Sequence, residues 1–139
     1  MKRAPSRNHD TLSDIGSSLV ETALVTMILL LFLAGIADAG RAYVTFIAIT
    51  NASQEGARYA IRHPNHIQGI RDAVKAELAS DHIYLSDNQI HITSTSARRG
   101  NAILVEVRYE TPTILGSMFG LKTIPLRSAT VMMVLSPQR

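Results

Sequence analysis

The stretch GSSLVETALVTMILLLFLAGIA, residues 16–37, decides the fold of this chain. Its 19 residues from Leu19 to Ala37 include only one charged side chain, Glu21. At 1.5 Å per residue, a helix of that length spans roughly 28 Å, close to the thickness of the hydrocarbon core of a bilayer. The run therefore predicts a membrane-spanning helix with a carboxylate near its head.

The residues that flank the apolar run indicate its orientation. Three cations precede the run, namely Lys2, Arg3 and Arg7. Only Arg41 follows it closely, behind Asp38. Because positively charged flanks stay in the cytoplasm, this pattern favours a cytoplasmic N-terminus and a C-terminal domain outside the membrane. We expect a cytoplasmic leader at 1–16, a transmembrane helix at 17–38 and an extracytoplasmic domain at 39–139.

Composition limits the function classes that are open to the chain. It has 139 residues, a net charge of +3 and no cysteine. The length suits one small domain plus an anchor. Without cysteine, the chain can form no disulfide framework, thiol nucleophile or cysteine-based zinc site. The mild charge, with no stripe of Lys and Arg, gives no reason to expect nucleic-acid binding.

Three interpretations of the apolar segment stay open. A cleaved secretory signal would end at Ala37-Asp38-Ala39, although the run is longer than the 7–15 residues usual for such signals. A plain signal anchor leaves Glu21 as a cost of about 2.5–3.5 kcal/mol at the bilayer centre, and less near the interface. A pilin-type signal would end its leader at Gly16, so that Ser17 becomes the new N-terminus and Glu21 the fifth mature residue.

The pilin-type interpretation gives Glu21 a physical role. A lone carboxylate is costly in lipid, because burial disfavours the charged form. The new ammonium group of Ser17 on a neighbouring subunit would favour that charged form. Such a pair would fix the axial register between two helices, which is a specificity role that buried charges can fill. Alternatively, Glu21 lies at the level of the headgroups and is solvated.

The helix is expected to continue far beyond the apolar run. No proline interrupts the chain between Ser17 and His63, so one long helix should end near Pro64. A stripe of mostly small residues, which permits close helix packing, follows at three- and four-residue spacing: Ala42, Phe46, Ile49, Ala52, Gly56 and Ala60. The residues that we expect to serve helix packing are Gly35, Gly40, Glu55, Gly56 and Arg58, with Glu55 and Arg58 as an i,i+3 ion pair.

A second helix and three strands are expected in the rest of the chain. Asn65 is predicted to cap the second helix, with Gln68 as its capping-box partner, and Ser80-Asp81 to end it. Its apolar face comprises Ile67, Ile70, Val74 and Leu78. Alternating residues predict strands at 89–96, 102–110 and 127–135, with a turn at 98–101.

Each strand pattern also predicts a shared face. In the second strand, one face carries Ile103, Val105, Val107 and Tyr109; in the third, one face carries Ala129, Val131, Met133 and Leu135. The expected fold is α+β and pilin-like. A long N-terminal helix, transmembrane in its first half, is joined by a second helix packed on a small antiparallel sheet of about three strands.

Three segments carry a family resemblance: GSSLVETALV at 16–25, GIADAGRAY at 35–43 and TNASQEGARYA at 50–60. Looser similarity continues from 100 to 135. The pattern resembles the TadE-like family of minor pseudopilins, found in tight-adherence (Flp-type) pilus systems. The resemblance implies cleavage after Gly16 by a prepilin peptidase, and a role in pilus assembly rather than catalysis. It also implies, as partners, other pilin or pseudopilin subunits and the pilus platform of the inner membrane.

No catalytic, metal or cofactor site is expected. His63 and His66 have a chelating spacing, but Pro64 lies between them and no further ligand is evident, so solvated turn histidines are favoured. The leading hypothesis is therefore a non-enzymatic minor pseudopilin anchored in the cytoplasmic membrane. The alternative is an unprocessed single-pass membrane protein whose outer domain binds a cell-envelope partner. A third hypothesis, an anchored enzyme, has no candidate site.

Overall fold

The structure is a computed structural model that describes residues 9–94 and 102–134. Side chains are described from Gly16 onward within those ranges, apart from Ser94. The predicted turn at 98–101, the cations before residue 9 and Leu135 lie outside the described residues. The chain divides into two compact units, Met1–Ala37 and Asp38–Arg139.

The predicted long helix is confirmed. Helix α1 comprises His9–Arg62, a length of 54 residues. It begins before the expected leader ends, and it stops two residues short of Pro64, because a residue that precedes proline disfavours the α conformation. Within the described residues, α1 from Gly16 onward is the one helix long and apolar enough to cross a membrane.

The first unit, Met1–Ala37, carries an apolar surface. Eleven large apolar side chains between Leu19 and Ile36 each expose 54–68% of their area. Full burial stabilises a side chain of this kind by about 1.5–3 kcal/mol relative to water. A helix that leaves so many exposed requires a lipid or protein surrounding.

The second unit, Asp38–Arg139, is built from the rest of α1, two further helices and a sheet. In chain order the other elements are α2 at Ile67–Ala79, a 3-10 helix at Asp87–Gln89, β1 at Ile90–Ser94, β2 at Ala102–Pro112, α3 at Leu115–Met118 and β3 at Thr123–Met133. The three strands form one antiparallel sheet in the order β1-β2-β3. The predicted α+β architecture is confirmed.

The core lies between one face of the sheet, α2 and the small-residue stripe of α1. The buried side chains that define it are Ile49, Ala52, Ala57, Ala60, Ile70, Val74, Leu78, Ile90, Ile103, Val105, Val107 and Val134, with Ala48 at its edge. Two residues predicted on the packing stripes, Phe46 and Ile67, are instead 44% and 39% exposed. Both lie at the margin of their helix face.

The start of α2 differs from the expected one. His66, rather than Asn65, is the N-cap residue, and it makes no side-chain capping hydrogen bond. Gln68 donates its hydrogen bond to Asp72, one turn ahead, at 3.2 Å. The tight turn formed by the His66 amide and the His63 carbonyl (3.1 Å) moves the helix start one residue along the chain.

The predicted shared face of the third strand is the outer face of the sheet, since Ala129, Val131 and Met133 are all exposed. Val131 and Met133 are 61% and 68% exposed, and the buried residues of this strand alternate with them. Directly opposed residues of an antiparallel pair share a face. Because Val105 pairs with Thr130, the buried face of β2 selects the face of β3 that carries Thr130. The buried residues Ile103, Val105 and Val107 of β2 therefore determine which face of β3 turns toward the core, although the opposite face of β3 is more hydrophobic.

Candidate functional site

The predicted processing bond, between Gly16 and Ser17, lies inside α1. Both residues are exposed, and a Cβ added at Gly16 would have nothing within 4 Å. A peptidase must extend this backbone before cutting it. Glycine lowers helix stability by about 1 kcal/mol relative to alanine, and serine also ranks below it, so local unwinding is easier here than in the apolar run. The bond is therefore exposed to solvent, but the helix must unwind locally before a peptidase can cut it.

Glu21 is exposed one turn beyond Ser17. Its neighbours on the helix, Leu24 and Val25, expose 58% and 59% of their area. The carboxylate thus belongs to an apolar outer surface, where a charge is stabilised by a partner or by headgroups rather than by lipid tails.

Gly56 lies where α1 faces both α2 and β2. A Cβ at this position would be 2.5 Å from Val74 Cγ2 and 3.3 Å from Val105 Cγ1. The absence of a side chain therefore lets α1 approach both of these elements. Nearby, the Ser53 and Thr130 hydroxyls form a hydrogen bond between α1 and β3.

The other predicted packing residues lie in more open surroundings. Gly35 is half-exposed, and a Cβ at Gly40 would have nothing within 4 Å. Glu55 Oε2 and Arg58 Nη1 are 3.4 Å apart, with side chains 41% and 62% exposed. A surface pair of this kind contributes about 0–1 kcal/mol. The pair therefore offers polar groups at the surface but adds little stability.

An apolar stripe that the sequence interpretation missed lies on the outer side of α1. Tyr43 and Val44 are 67% and 65% exposed, and Ile47 is 43% exposed. Together with Gly40, these residues have the i, i+3, i+4, i+7 spacing of a single helix face. We call Gly40, Tyr43, Val44 and Ile47 the outer stripe. The spacing of these residues is visible in the sequence. The small-residue stripe on the opposite side of α1 has the same period, however, so the spacing alone does not show which stripe faces the core.

Asp38 has a structural role that was not foreseen from the sequence. Its side chain is 8% exposed. Oδ1 accepts a hydrogen bond from the Ile114 amide at 2.8 Å, and Oδ2 accepts one from the Leu115 amide at 2.7 Å. A second bond from the Ile114 amide to Oδ2 is 3.0 Å long. The carboxylate therefore fixes a loop 76 residues further along the chain, which local sequence patterns do not reveal.

The two histidines gather around a tyrosine. The Tyr59 hydroxyl forms a 2.9 Å hydrogen bond with His66 Nδ1, and its ring centroid is 4.7 Å from that of His63. His66 is exposed, as expected of a solvated turn histidine, whereas His63 is half-buried with its ring against Tyr59. Among the described residues, no three His, Cys, Asp or Glu side chains cluster so as to hold a metal ion.

The outer face of the sheet has a charged cluster around Glu106. Arg108 Nε donates to Glu106 Oε1 at 2.6 Å, and Arg127 Nε lies 3.5 Å from the same oxygen. The hydrogen bond from Arg108 lowers the pKa of Glu106, and the charges of Arg108, Arg127 and His91 act in the same direction. An open cleft of about 590 Å³ lies beside both arginines. With its carboxylate held ionised by two cations, the cluster provides a charged surface.

Comparison with known families supports the membrane and pilus interpretation. Residues 16–58 match the family described as TadE-like protein. This match confirms the resemblance over that segment, which includes Gly16, Glu21 and the Glu55–Arg58 pair. No curated protein and no solved structure matches the chain. TadE-like proteins are a pilus-associated structural family, so the match and the apolar helix indicate a membrane protein related to Tad pili.

Proposed function

We propose that this TadE-like chain is a minor pseudopilin that acts in the assembly of a tight-adherence pilus. It is inserted in the cytoplasmic membrane with its N-terminus inside. A prepilin peptidase cleaves it between Gly16 and Ser17, and α1 then packs against other pilin or pseudopilin subunits at the pilus platform. The observation that carries this proposal is the outer stripe, an apolar helix face beyond the membrane-spanning run.

The outer stripe argues for a protein partner outside the bilayer. A domain that is anchored in the membrane but has no partner needs apolar residues only in the bilayer and in its own hydrophobic core. Tyr43 and Val44 follow the apolar run and are about two-thirds exposed. Ile47, about 14 Å past Asp38 along the helix, lies beyond the headgroup layer and is still 43% exposed. Burial against a partner helix would stabilise each by about 1.5–3 kcal/mol. Gly40, with open space around it, permits the close approach that such packing favours.

Glu21 supports the same proposal from the other end of the helix. Cleavage after Gly16 would create an ammonium group at Ser17, four residues before this carboxylate. Both positions are exposed on α1, so they are open to a neighbouring subunit. A charge pair between subunits would fix how far one helix slides along the next. Glu21 would then set the register, while apolar contacts supply the affinity.

The alternative function is an unprocessed membrane protein whose outer domain binds a cell-envelope partner. One observation favours it: Val131 and Met133 leave apolar side chains exposed on the outer face of the sheet. This surface is separate from α1 and needs no cleavage to act. Processing therefore distinguishes the two functions.

Intact mass spectrometry of the protein from piliated cells tests the proposal. Loss of residues 1–16 is expected, and Gly16→Leu should preserve the full-length mass. Glu21→Ala should be cleaved normally but should reduce piliation, whereas Glu77→Ala, an exposed carboxylate on α2, should affect neither. A full-length wild-type chain in a strain with active prepilin peptidase would refute the pseudopilin function. Normal piliation with Glu21→Ala would refute the register role.

A further inference from the structure

We propose that the loop at 113–122, between β2 and β3, inserts into the outer headgroup region of the bilayer as a second membrane contact. The inference rests on the proposed membrane insertion of α1. Within the second unit, Asp38 holds this loop, and the loop exposes large apolar side chains.

Asp38 lies at the end of the apolar run. It directly follows Ala37, the last residue of the apolar run. If the run spans the hydrocarbon core, the carboxylate lies at the outer interface. Ile114 and Leu115 donate their amide hydrogens to this carboxylate at 2.7–3.0 Å. The loop is thereby held at the level where the membrane ends.

The 113–122 loop exposes an apolar surface. Its large apolar side chains point away from the core, with exposures of 51% for Ile114, 74% for Met118, 72% for Phe119 and 69% for Leu121. This set is costly in water, yet no protein element among the described residues covers it. Phenylalanine and leucine are typical of the apolar face that interfacial segments bury about 5–10 Å deep at the headgroup boundary.

Hydrogen bonds within the loop keep these apolar side chains exposed. The Leu121 amide donates to the Gly116 carbonyl at 2.8 Å, and the Thr113 hydroxyl donates to the Leu121 carbonyl at 2.6 Å. The Thr113 amide also donates to the Lys122 carbonyl at 3.1 Å. A Cβ at Gly116 would lie 2.6 Å from the Leu121 carbonyl oxygen, so the chain is closely packed there. These internal contacts hold the apolar side chains outward.

Charge at the same end of the domain agrees with a lipid surface. Arg41 follows Asp38 by less than one helical turn, and Lys122 ends the loop; both are exposed. Cations beside an interfacial apolar element attract lipid phosphates. A lipid interface thus accounts for the position of the loop, its apolar side chains and the adjacent cations together.

The absence of tryptophan from the chain provides a direct test. Three single-tryptophan variants of the full-length protein are reconstituted in phosphatidylcholine–phosphatidylglycerol vesicles, with and without lipids brominated near the headgroup end of the acyl chain. Phe119→Trp reports on the loop, Phe32→Trp on the apolar run, and Tyr84→Trp is the exposed control. Tyr84 is 78% exposed, similar to Phe119.

The control residue lies far along the domain from Asp38. Lys75 Nζ binds Asp87, three residues after Tyr84, at 2.5 Å. Lys75 lies on α2, and α2 packs against Gly56 of α1. Gly56 is 18 residues past Asp38, which places it about 27 Å further along α1. Brominated lipid should therefore leave Tyr84→Trp unquenched.

For an inserted loop, brominated lipid should reduce Phe119→Trp emission at least about twofold, as expected at a depth of 5–10 Å. Quenching of Phe32→Trp without quenching of Phe119→Trp would overturn the loop insertion and leave the anchor intact. If neither is quenched, both the insertion and the membrane anchor fail. Adding Asp38→Ala should reduce quenching of Phe119→Trp but not of Phe32→Trp. Unchanged quenching in that variant would overturn the role of Asp38 in holding the loop.

Discussion

Replacement of Gly56 by alanine tests how closely α1 packs in the domain. The new methyl carbon would lie 2.5 Å from Val74 Cγ2. Valine has one strongly preferred rotamer in a helix, so it yields poorly and the backbones must separate. Overpacking of this kind costs about 1–3 kcal/mol. Alanine also gains about 1 kcal/mol over glycine in a helix. We expect Gly56→Ala to lower the free energy of unfolding by about 0–2 kcal/mol.

Gly40→Ala is the matched control, because the same substitution in the same helix meets nothing within 4 Å. The gain in helix propensity is common to both variants. Their difference in unfolding free energy therefore isolates the contact with Val74, and it should be about 1–3 kcal/mol. This difference is measured by urea unfolding of the full-length protein in detergent micelles. Unfolding is monitored by the near-ultraviolet circular dichroism of Tyr59 and Tyr109, which pack against the core.

A double-mutant cycle identifies the contact itself. Val74→Ala alone opens a cavity and is expected to destabilise the domain. In the Gly56→Ala background it also removes the clash, so the two effects should be less than additive, with a coupling of about 0.5–3 kcal/mol. If Gly56→Ala proves as stable as Gly40→Ala, or if the two core substitutions are additive, the close packing at Gly56 is refuted.

Three further predictions concern polar contacts. The pKa of Glu106 is lowered from 4.5, so its carboxylate stabilises the fold above that pH and loses this effect as the pH falls. Glu106→Gln should lower the thermal midpoint near pH 7 but not at about pH 2, as followed by circular dichroism. Asp38→Ala should lower the free energy of unfolding, because the Ile114 and Leu115 amides lose their acceptor, and it should speed amide exchange in the 113–122 loop, unlike Asp72→Ala on exposed α2. Ser53→Ala should cost about 1–2 kcal/mol in urea unfolding, and adding Thr130→Val should cost less than the sum of the two changes. An unchanged midpoint, exchange rate or unfolding free energy would contradict the respective contact.

The sequence predicted those elements whose signal is local and strong. The apolar run, the lack of proline before Pro64 and the alternation at 102–110 gave α1 and β2, and the structure confirms both. The small-residue period on α1 also marked Ala52 and Gly56, which are buried in the core. In each of these segments the spacing of apolar or small residues is enough to predict the element and its buried face, without knowing which other elements pack against it.

The missed features depend on residues distant in the chain. The face of β3 follows from its pairing with β2, where Val105 opposes Thr130, rather than from its own alternation. No local pattern revealed the role of Asp38, because its hydrogen-bond donors lie 76 and 77 residues away. The outer stripe was hidden for a different reason. A helix with apolar residues on two sides gives no single hydrophobic face, so its period does not distinguish core from interface.

The two sides of α1 are coupled by the way the domain is built. Gly56 brings α1 against α2 and β2, and the bond between Ser53 and Thr130 fixes it to β3. Because cores are closely packed, α1 cannot rotate about its axis without breaking these contacts. The outer stripe on the opposite side therefore has a direction that is set by the core. A partner helix that binds the stripe consequently also fixes the orientation of the sheet and of the Glu106 cluster. In the proposed assembly, this coupling would let small residues, which alone contribute little affinity, set the direction in which the subunit packs.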